Sequence, residues 1–251
     1  MKKYITVFTG AGISACSGVQ TFRDADGLWE GHKVEEVATP KGFEKDPQLV
    51  WDFYRARYQQ LQEVEPNNAH YALVQLEEQA IKRGYEFLII TQNIDGLHHR
   101  AGSKNAVEIH GDLRTLRCCG DHPHHEECTF TTEDIQYWNS NIVPICPVCN
   151  SLLRVNVVWF GEMLPDKTFL KAEWAAKNSQ IMLVIGTSGV VQPAASLVSY
   201  ASNRNGKIFE CNPTPAFDHL SYDFDPSKYR CLRGKASSVV PTAVKEILAQ
   251  I

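Results

Sequence analysis

Four short apolar runs punctuate the chain: Tyr4 to Phe8, Phe87 to Ile90, Ile181 to Ile185, and the segment holding Ile208 and Phe209. Each is near-continuous in apolar and β-branched residues rather than alternating, the pattern of strands covered on both faces, as in a parallel sheet. Between them apolar residues recur at helical spacing. Leu49, Val50, Phe53, Ala56 and Leu61 form a stripe over Pro47 to Leu61; Ala69, Leu73, Leu76 and Ala80 form another over Asn67 to Ile81, with Pro66 before it. Near the C-terminal end Val244, Ile247, Leu248 and Ile251 follow i, i+3, i+4, i+7, and Pro241 suits the first turn of that helix. Strands alternating with helices predict an open α/β sheet.

Residues 113–157 break this rhythm, with few apolar positions, five of the eight cysteines (Cys118, Cys119, Cys128, Cys146, Cys149) and His122, His124 and His125. Such a segment reads as a small insertion with a metal in place of a core. The 251 residues accommodate one large domain, or a large domain with a small one inserted. Hydrophobic residues at 43% and charged residues at 22% are globular values that exclude collagen, coiled coil and disorder. The net charge of −4 and pI near 6.1 disfavour a nucleic-acid binder that relies on bulk electrostatics. No apolar run approaches the ~18–20 residues that cross a bilayer. The opening stretch through Phe8 is too short for a secretory h-region and lacks an A-x-A-like end, so it reads as a strand. Clustered cysteines without a signal segment point to metal ligands in a reducing cytoplasm rather than to disulfides.

The first strand runs into Gly10-Ala11-Gly12-Ile13-Ser14-Ala15, a G-x-G-x-x-A turn. Gly10 permits a tight turn, Gly12 lets backbone approach a pyrophosphate, and a following helix N-terminus would offer free N–H groups. A dehydrogenase should next show an acidic strand tip roughly 20 residues on. The chain continues instead as a polar loop, Ser17 to Trp29, with no second strand, which weighs against hydride transfer and suits a functional lid. The strand ending at Ile90 leads into Thr91-Gln92-Asn93-Ile94-Asp95, polar groups at the carboxyl end of a parallel strand, where Asn93 and Asp95 suit an amide such as nicotinamide. His110, in Glu108-Ile109-His110-Gly111, has the intrinsic pKa of a general base near neutrality; His98 and His99 read as structural. Cys146-Pro147-Val148-Cys149 is a C-x₂-C zinc knuckle. The other pair is irregular: Cys118 and Cys128 are chosen, with Cys119 as an alternative to Cys118, and His122, His124 or His125 as alternatives to Cys128. Tyr54 and Arg57 are i, i+3 on one helix face, and an Arg fork with a phenol suits a carboxylate.

In order, Gly10-Ala11-Gly12-Ile13-Ser14, Ser17-Gly18, Phe22-Arg23, Gly27-Leu28-Trp29, Thr91 to Asp95, His110-Gly111, Val158-Trp159-Phe160-Gly161-Glu162, Gly186-Thr187-Ser188, Cys211-Asn212 and Gly234-Lys235-Ala236 resemble the motif set of the sirtuins, the NAD-dependent protein lysine deacylases. The likeness spans nearly the whole chain; Gln20-Thr21 departs from the Pro-Asp pair common before Phe-Arg. The resemblance implies a Rossmann-like parallel sheet with helices on both faces (approximately 1–30, 85–112 and 158–251), a small zinc-binding insertion (approximately 113–157) and a helical module (approximately 31–84). It also implies NAD and one structural zinc, with acyl-lysine proteins or peptides as partners. Neither a membrane nor sequence-specific nucleic acid is expected, and a monomer is favoured. NAD would lie on Gly10, Ala11, Gly12, Ile13, Ser14, Ser17, Gly18, Phe22, Arg23, Trp29, Gln92, Asn93, Ile94, Asp95, Gly186, Thr187, Ser188, Asn212 and Ala236. By the same resemblance Asn93 and Asp95 would hold the nicotinamide amide, His110 would take a ribose hydroxyl proton, and nicotinamide and O-acyl-ADP-ribose would be the products. Val158, Phe160 and Gly161 would pair with an extended substrate peptide. Ala38, Tyr54 and Arg57 resemble the pocket of sirtuins that remove succinyl and malonyl groups, which implies acidic acyl-lysine activity beside deacetylation. An NAD-dependent mono-ADP-ribosyltransferase and a zinc-ribbon binding module are the rival readings.

Overall fold

In the computed structural model, which describes residues 3–20, 28–29, 31–120, 128–203, 206–217 and 225–251, the four apolar runs lie in one parallel sheet. In chain order the elements are β1 (Lys3–Thr9), β2 (Leu28–Trp29), β3 (His32–Lys33), α1 (Val34–Val37), α2 (Pro40–Lys45), α3 (Pro47–Glu63), α4 (Asn68–Lys82), β4 (Tyr85–Thr91), α5 (Leu97–Ala101), β5 (Ala106–Glu108), β6 (Gly111–Cys118), β7 (Thr131–Thr132), α6 (Ile135–Trp138), β8 (Leu153–Val157), α7 (Asp166–Lys177), β9 (Ser179–Ile185), α8 (Ser196–Asn203), β10 (Lys207–Asn212), β11 (Tyr229–Arg233) and α9 (Ala236–Leu248). Among the described residues six strands pair in the order β11-β10-β9-β1-β4-β5, each pairing parallel.

Strand pleating sorts the apolar residues onto two faces. Ile5, Val7, Ile89, Leu183 and Ile185 pack with Leu73 and Leu76 of α4 and with Val240, Val244 and Ile247 of α9. Phe8, Leu88, Ile90, Met182 and Val184 pack with Ala172 and Ala176 of α7 and Leu197 and Ala201 of α8. Both faces of the sheet are therefore covered by helices, as the continuous apolar runs predict. A third core joins α3 to a separate antiparallel sheet of order β7-β6-β8, through Trp51, Phe53, Tyr54, Leu116, Trp138, Val155 and Trp159. Trp138 stacks on Trp51 and Tyr58 at ring-centroid distances of 5.1 and 4.2 Å. The helices of 31–84 thus divide: α3 serves this third core, while α4 covers the parallel sheet. No helix among the described residues is long and apolar enough to cross a membrane.

Two local expectations change. The last helix begins at Ala236, so Pro241 lies inside it rather than in its first turn. An interior proline costs about 3 kcal/mol, but burying Val240, Val244 and Ile247 contributes about 1.5–3 kcal/mol each, and packing wins. The segment after the glycine turn forms two single 3₁₀ turns, Ala11–Ile13 and Ala15–Ser17, not an α-helix. The second closes on Gly18 at φ 94°, a left-handed residue that ends the run, so no helix dipole is built there.

Candidate active site and zinc centre

The chain moves outward from β1 in opposite directions, through β4 and β5 on one side and through β9, β10 and β11 on the other, so the strand order reverses between β1 and β9. Open α/β sheets place ligands at the carboxyl end of such a reversal. There the Gly10–Gly12 turn meets Gly186: Gly10 N–H donates to the Ile185 carbonyl at 3.0 Å and Gly12 N–H to the Gly186 carbonyl at 2.8 Å. A Cβ on Gly12 would lie 2.7 Å from Gly186 Cα, and Gly186 itself stands at φ 60°. The missing side chain of Gly12 is therefore required first by the opposing backbone, not by a ligand alone.

A polar network fills the floor beneath this turn. Ser14 Oγ donates to Asp95 Oδ2 at 2.7 Å, Asp95 Oδ1 accepts the Leu97 N–H at 3.0 Å, and Asn93 Nδ2 lies 3.2 Å from both the Gly10 carbonyl and Ser14 Oγ. Burial pushes the Asp95 carboxyl above its usual range, while the Leu97 N–H and Ser14 hydroxyl pull it back. Asn67 was not singled out from the sequence, yet it caps α4 and its Nδ2 reaches the Ile13 carbonyl at 2.8 Å and Ser17 Oγ at 2.9 Å. Its signal was an asparagine directly after Pro66, at the start of a helical stripe. The Ile13 and Ala236 side chains are buried in the core, so those two residues have only their backbones to offer a ligand. Gln92 Nε2 donates to Thr187 Oγ1 at 3.0 Å, and Asn212 Nδ2 donates to the Thr187 carbonyl at 2.9 Å, tying three strand ends together. Ser188 is exposed. Trp29 lies in β2, paired with His32 in a hairpin where the sequence predicted only loop; Phe22 and Arg23 lie outside the described residues.

His110 Nδ1 lies 3.0 Å from the Gln92 carbonyl. A carbonyl only accepts, so Nδ1 carries the hydrogen and Nε2 keeps the lone pair. Burial holds the imidazole below its ordinary pKa, with the Gln92 contact acting the other way. His98 is buried and bonds Thr9 Oγ1 at 3.0 Å, a structural role.

Ala38 and Tyr54 are buried, Arg57 is half-buried, and the Arg57 guanidinium lies 4.7 Å from the Phe53 ring centre. The Tyr54 phenol accepts the Trp159 indole N–H at 3.0 Å, a contact that sequence reasoning missed because the two residues are 105 positions apart. Strand β8 stops at Val157; residues 158–159 are irregular and a turn follows at 160–161. Val158 N–H donates to the His110 carbonyl at 2.8 Å, Phe160 N–H to the Ala38 carbonyl at 3.0 Å and Trp159 N–H to Glu162 Oε2 at 2.7 Å. Those N–H groups are taken within the chain, so a peptide pairing here must use the carbonyls.

The Sγ atoms of Cys118, Cys128, Cys146 and Cys149 all lie within 4.8 Å of one another. The Cys118–Cys149 and Cys128–Cys146 separations are 3.3 and 3.8 Å. Four thiolates about 2.3 Å from a tetrahedral zinc sit roughly 3.8 Å apart, so the cluster fits one structural zinc. After the knuckle, Asn150 turns through φ 61° with its N–H on the Cys146 carbonyl at 2.9 Å. Cys119 is outside the cluster and its N–H bonds the Leu152 carbonyl. His122, His124 and His125 lie outside the described residues.

Residues 10–193 match the model of the Sir2 family. An NAD-dependent protein deacylase of Pyrococcus furiosus is 45% identical over 240 residues, covering 96% of this chain and 91% of that protein. A solved Sir2 homologue in complex with ADP-ribose superposes with a TM-score of 0.84 at 40% identity, covering 99% of this chain and 94% of that one. A Sir2 protein bound to a myristoylated histone peptide superposes at 0.72 with 33% identity, covering 99% and 92%.

Proposed function

Since the chain belongs to the Sir2 family, we propose that it removes acyl groups from protein lysines with consumption of NAD and one water, releasing free lysine, nicotinamide and an acyl ester of ADP-ribose. The observation that carries this reading is the cleft at the strand-order reversal, with a glycine turn against Gly186 on one side and an imidazole bearing its lone pair on Nε2 beside it. The deacylase names of its relatives and the ADP-ribose and acylated-peptide complexes of its structural neighbours support it. The residues fit the dinucleotide: backbone meets backbone at Gly12 and Gly186, so no side chain fills the turn, and the Asn93–Ser14–Asp95 network sets polar groups below it.

Bound there, the dinucleotide supplies a glycosidic carbon that the acyl oxygen can attack as nicotinamide leaves. The Gly10–Ser14, Gln92–Asp95 and Gly186–Ser188 segments, with Asn212 and the Ala236 backbone, would hold it, and Asn93 and Asp95 would orient its amide end. His110 Nε2 is the general base for a ribose hydroxyl proton, help worth roughly 10²–10⁴-fold. The carbonyls of Val158 and Phe160 and the open turn at Gly161 would receive the substrate backbone. The zinc supplies no chemistry: four cysteines fill its coordination and leave no open position.

A base must be neutral to act, and burial favours the neutral imidazole. Activity is therefore lost only as pH falls through a pKa depressed below 6.5. The acid limb of the kcat/KM profile is expected to have its midpoint below pH 6.5; a midpoint at or above that value would count against His110 as the base.

Ala38, Tyr54 and Arg57 form the acyl pocket in this reading, and a guanidinium and a phenol at i, i+3 on one helix would favour succinyl and malonyl groups. Arg57→Met is expected to lower kcat/KM for a succinyl-lysine peptide about 10²-fold and to affect the acetyl peptide far less. Equal losses on both substrates would refute the pocket. Mass spectrometry of the products from NAD with acetyl- and succinyl-lysine peptides tests the reaction itself. ADP-ribose transferred to protein, with the peptides left acylated, would favour the transferase reading instead.

A further inference from the structure

We propose that Glu210 is a positioning residue for the dinucleotide: it fixes the Asn212 side chain so that an acceptor oxygen is left to meet the adenosine ribose. The inference rests on the reading of Asn212 as a contact of the dinucleotide. In that reading the Gly10–Gly12 turn takes the pyrophosphate, and Asn93 and Asp95 beyond β4 take the amide end. The adenosine half then runs the other way, over β9 toward β10. Asn212 is the last residue of β10. Its Nδ2 donates to Glu210 Oε1 at 2.7 Å and to the Thr187 carbonyl at 2.9 Å. An ionised carboxylate and a carbonyl only accept, so nitrogen must face both, and its two hydrogens are used there. The carbonyl Oδ1 is what remains for a ligand. It accepts no bond from a described residue, and it is not sealed in as the orphaned ring nitrogens of His70 and His98 are. An acceptor at this place selects a ribose hydroxyl that donates.

Glu210 is fully buried, and strand pleating sets it on the sheet face that carries Ile208. A carboxylate in such a place is costly unless donors surround it. Four converge on it. Asn212 Nδ2–H and the Ala216 N–H, at 2.6 Å, share Oε1; the Phe217 N–H, at 3.2 Å, and the Tyr229 hydroxyl share Oε2. Burial, with Glu210 beside it, raises the Tyr229 pKa, so the phenol keeps its hydrogen and donates. One carboxylate thus ties the chain after β10 and the first residue of β11 to the amide that meets the ribose. Glu210 touches no ligand atom in this scheme; it acts through Asn212.

The test measures kcat and KM for NAD and for analogues whose adenosine ribose carries hydrogen or fluorine in place of the 2′- or 3′-hydroxyl. Fluorine can accept a hydrogen bond but cannot donate one. At one or both positions hydrogen and fluorine are expected to raise KM alike, about tenfold, with kcat within about threefold of the NAD value. If at neither position both replacements weaken the cofactor, whether because fluorine matches NAD where hydrogen fails or because all analogues match NAD, the inference is overturned. Glu210→Met should raise the KM for NAD about tenfold and shrink the preference for the hydroxyl below about twofold. Glu210→Gln should stay within about threefold of the parent: its oxygen can face Asn212 and Ala216 while its amide meets Tyr229, whose hydroxyl can turn to accept. A parent-like preference in Glu210→Met, or equal losses in both variants at the parent's melting temperature, would overturn it too. Should Glu210→Met misfold, side-chain NMR of the parent decides: slow exchange of both Asn212 Nδ2 hydrogens with water is expected, and rapid exchange of either overturns the inference. Absence of NAD binding overturns the dinucleotide reading as well, whereas NAD binding without the analogue pattern overturns this inference alone.

Discussion

A His110→Tyr variant is expected to fold normally and to turn over acyl-lysine at least about 10²-fold more slowly than the parent. The proposed chemistry needs a lone pair at Nε2, and the Nδ1 contact to the Gln92 carbonyl keeps that nitrogen unprotonated and fixes the ring plane. A phenol of ordinary pKa near 10 keeps its proton at neutral pH and offers no equivalent base. The ring is half-buried and its described side-chain bond is the one to Gln92, so losing it costs about 1 kcal/mol, or a melting shift of about 2–4 °C. The effect should appear in kcat, with NAD affinity retained. Parent-like turnover would remove His110 from the mechanism; a collapse in melting temperature would mean that the loss reports on folding instead.

Zinc removal is expected to have the largest effect on stability. Structural zinc in small modules contributes about 10–16 kcal/mol of apparent binding free energy, comparable to the whole stability of a domain. Cys118 and Cys146 are buried in the core that also holds Tyr54, Trp138 and Trp159. Without the ion, four thiols must share a space in which their sulfur atoms lie within 4.8 Å. Chelation, or Cys149→Ser, should therefore lower the melting temperature by more than about 10 °C and abolish activity through the acyl pocket. The parallel sheet, whose two cores contain none of the four cysteines, should retain its secondary structure in circular dichroism. An unchanged melt after verified metal removal would contradict the structural assignment of the cluster.

How much of this was legible in the sequence depended on how local each cause was. The four buried strands announced themselves because a parallel sheet covered on both faces demands unbroken apolar runs. Strands β5 and β11 did not: β5 has three residues, and β11 reads Tyr-Arg-Cys-Leu-Arg at the sheet's edge, half open to solvent. Half of the zinc set was readable from the C-x₂-C knuckle; Cys118 and Cys128 could be chosen from the sequence, but Cys119 stayed an alternative to Cys118 until the register of β6 pointed Cys118 inward toward Cys149. The glycine turn was legible as a turn, but the contact that requires Gly12 comes from Gly186, a partner no local pattern reveals. The Trp159–Tyr54 bond and the internal pairing of the Phe160 N–H with Ala38 are likewise products of tertiary packing. At Pro241 local propensity simply lost to burial of the helix face.

The claim on which the rest depends is that a nicotinamide dinucleotide occupies the cleft where β1 and β9 diverge. Titration calorimetry of the zinc-loaded protein with NAD alone, so that no acyl-lysine turnover adds heat, tests it most directly. Saturable binding at one site per chain, weakened when Gly12 is replaced by alanine, is the expected result. Absence of any measurable heat or saturation with properly folded, zinc-loaded protein would contradict it.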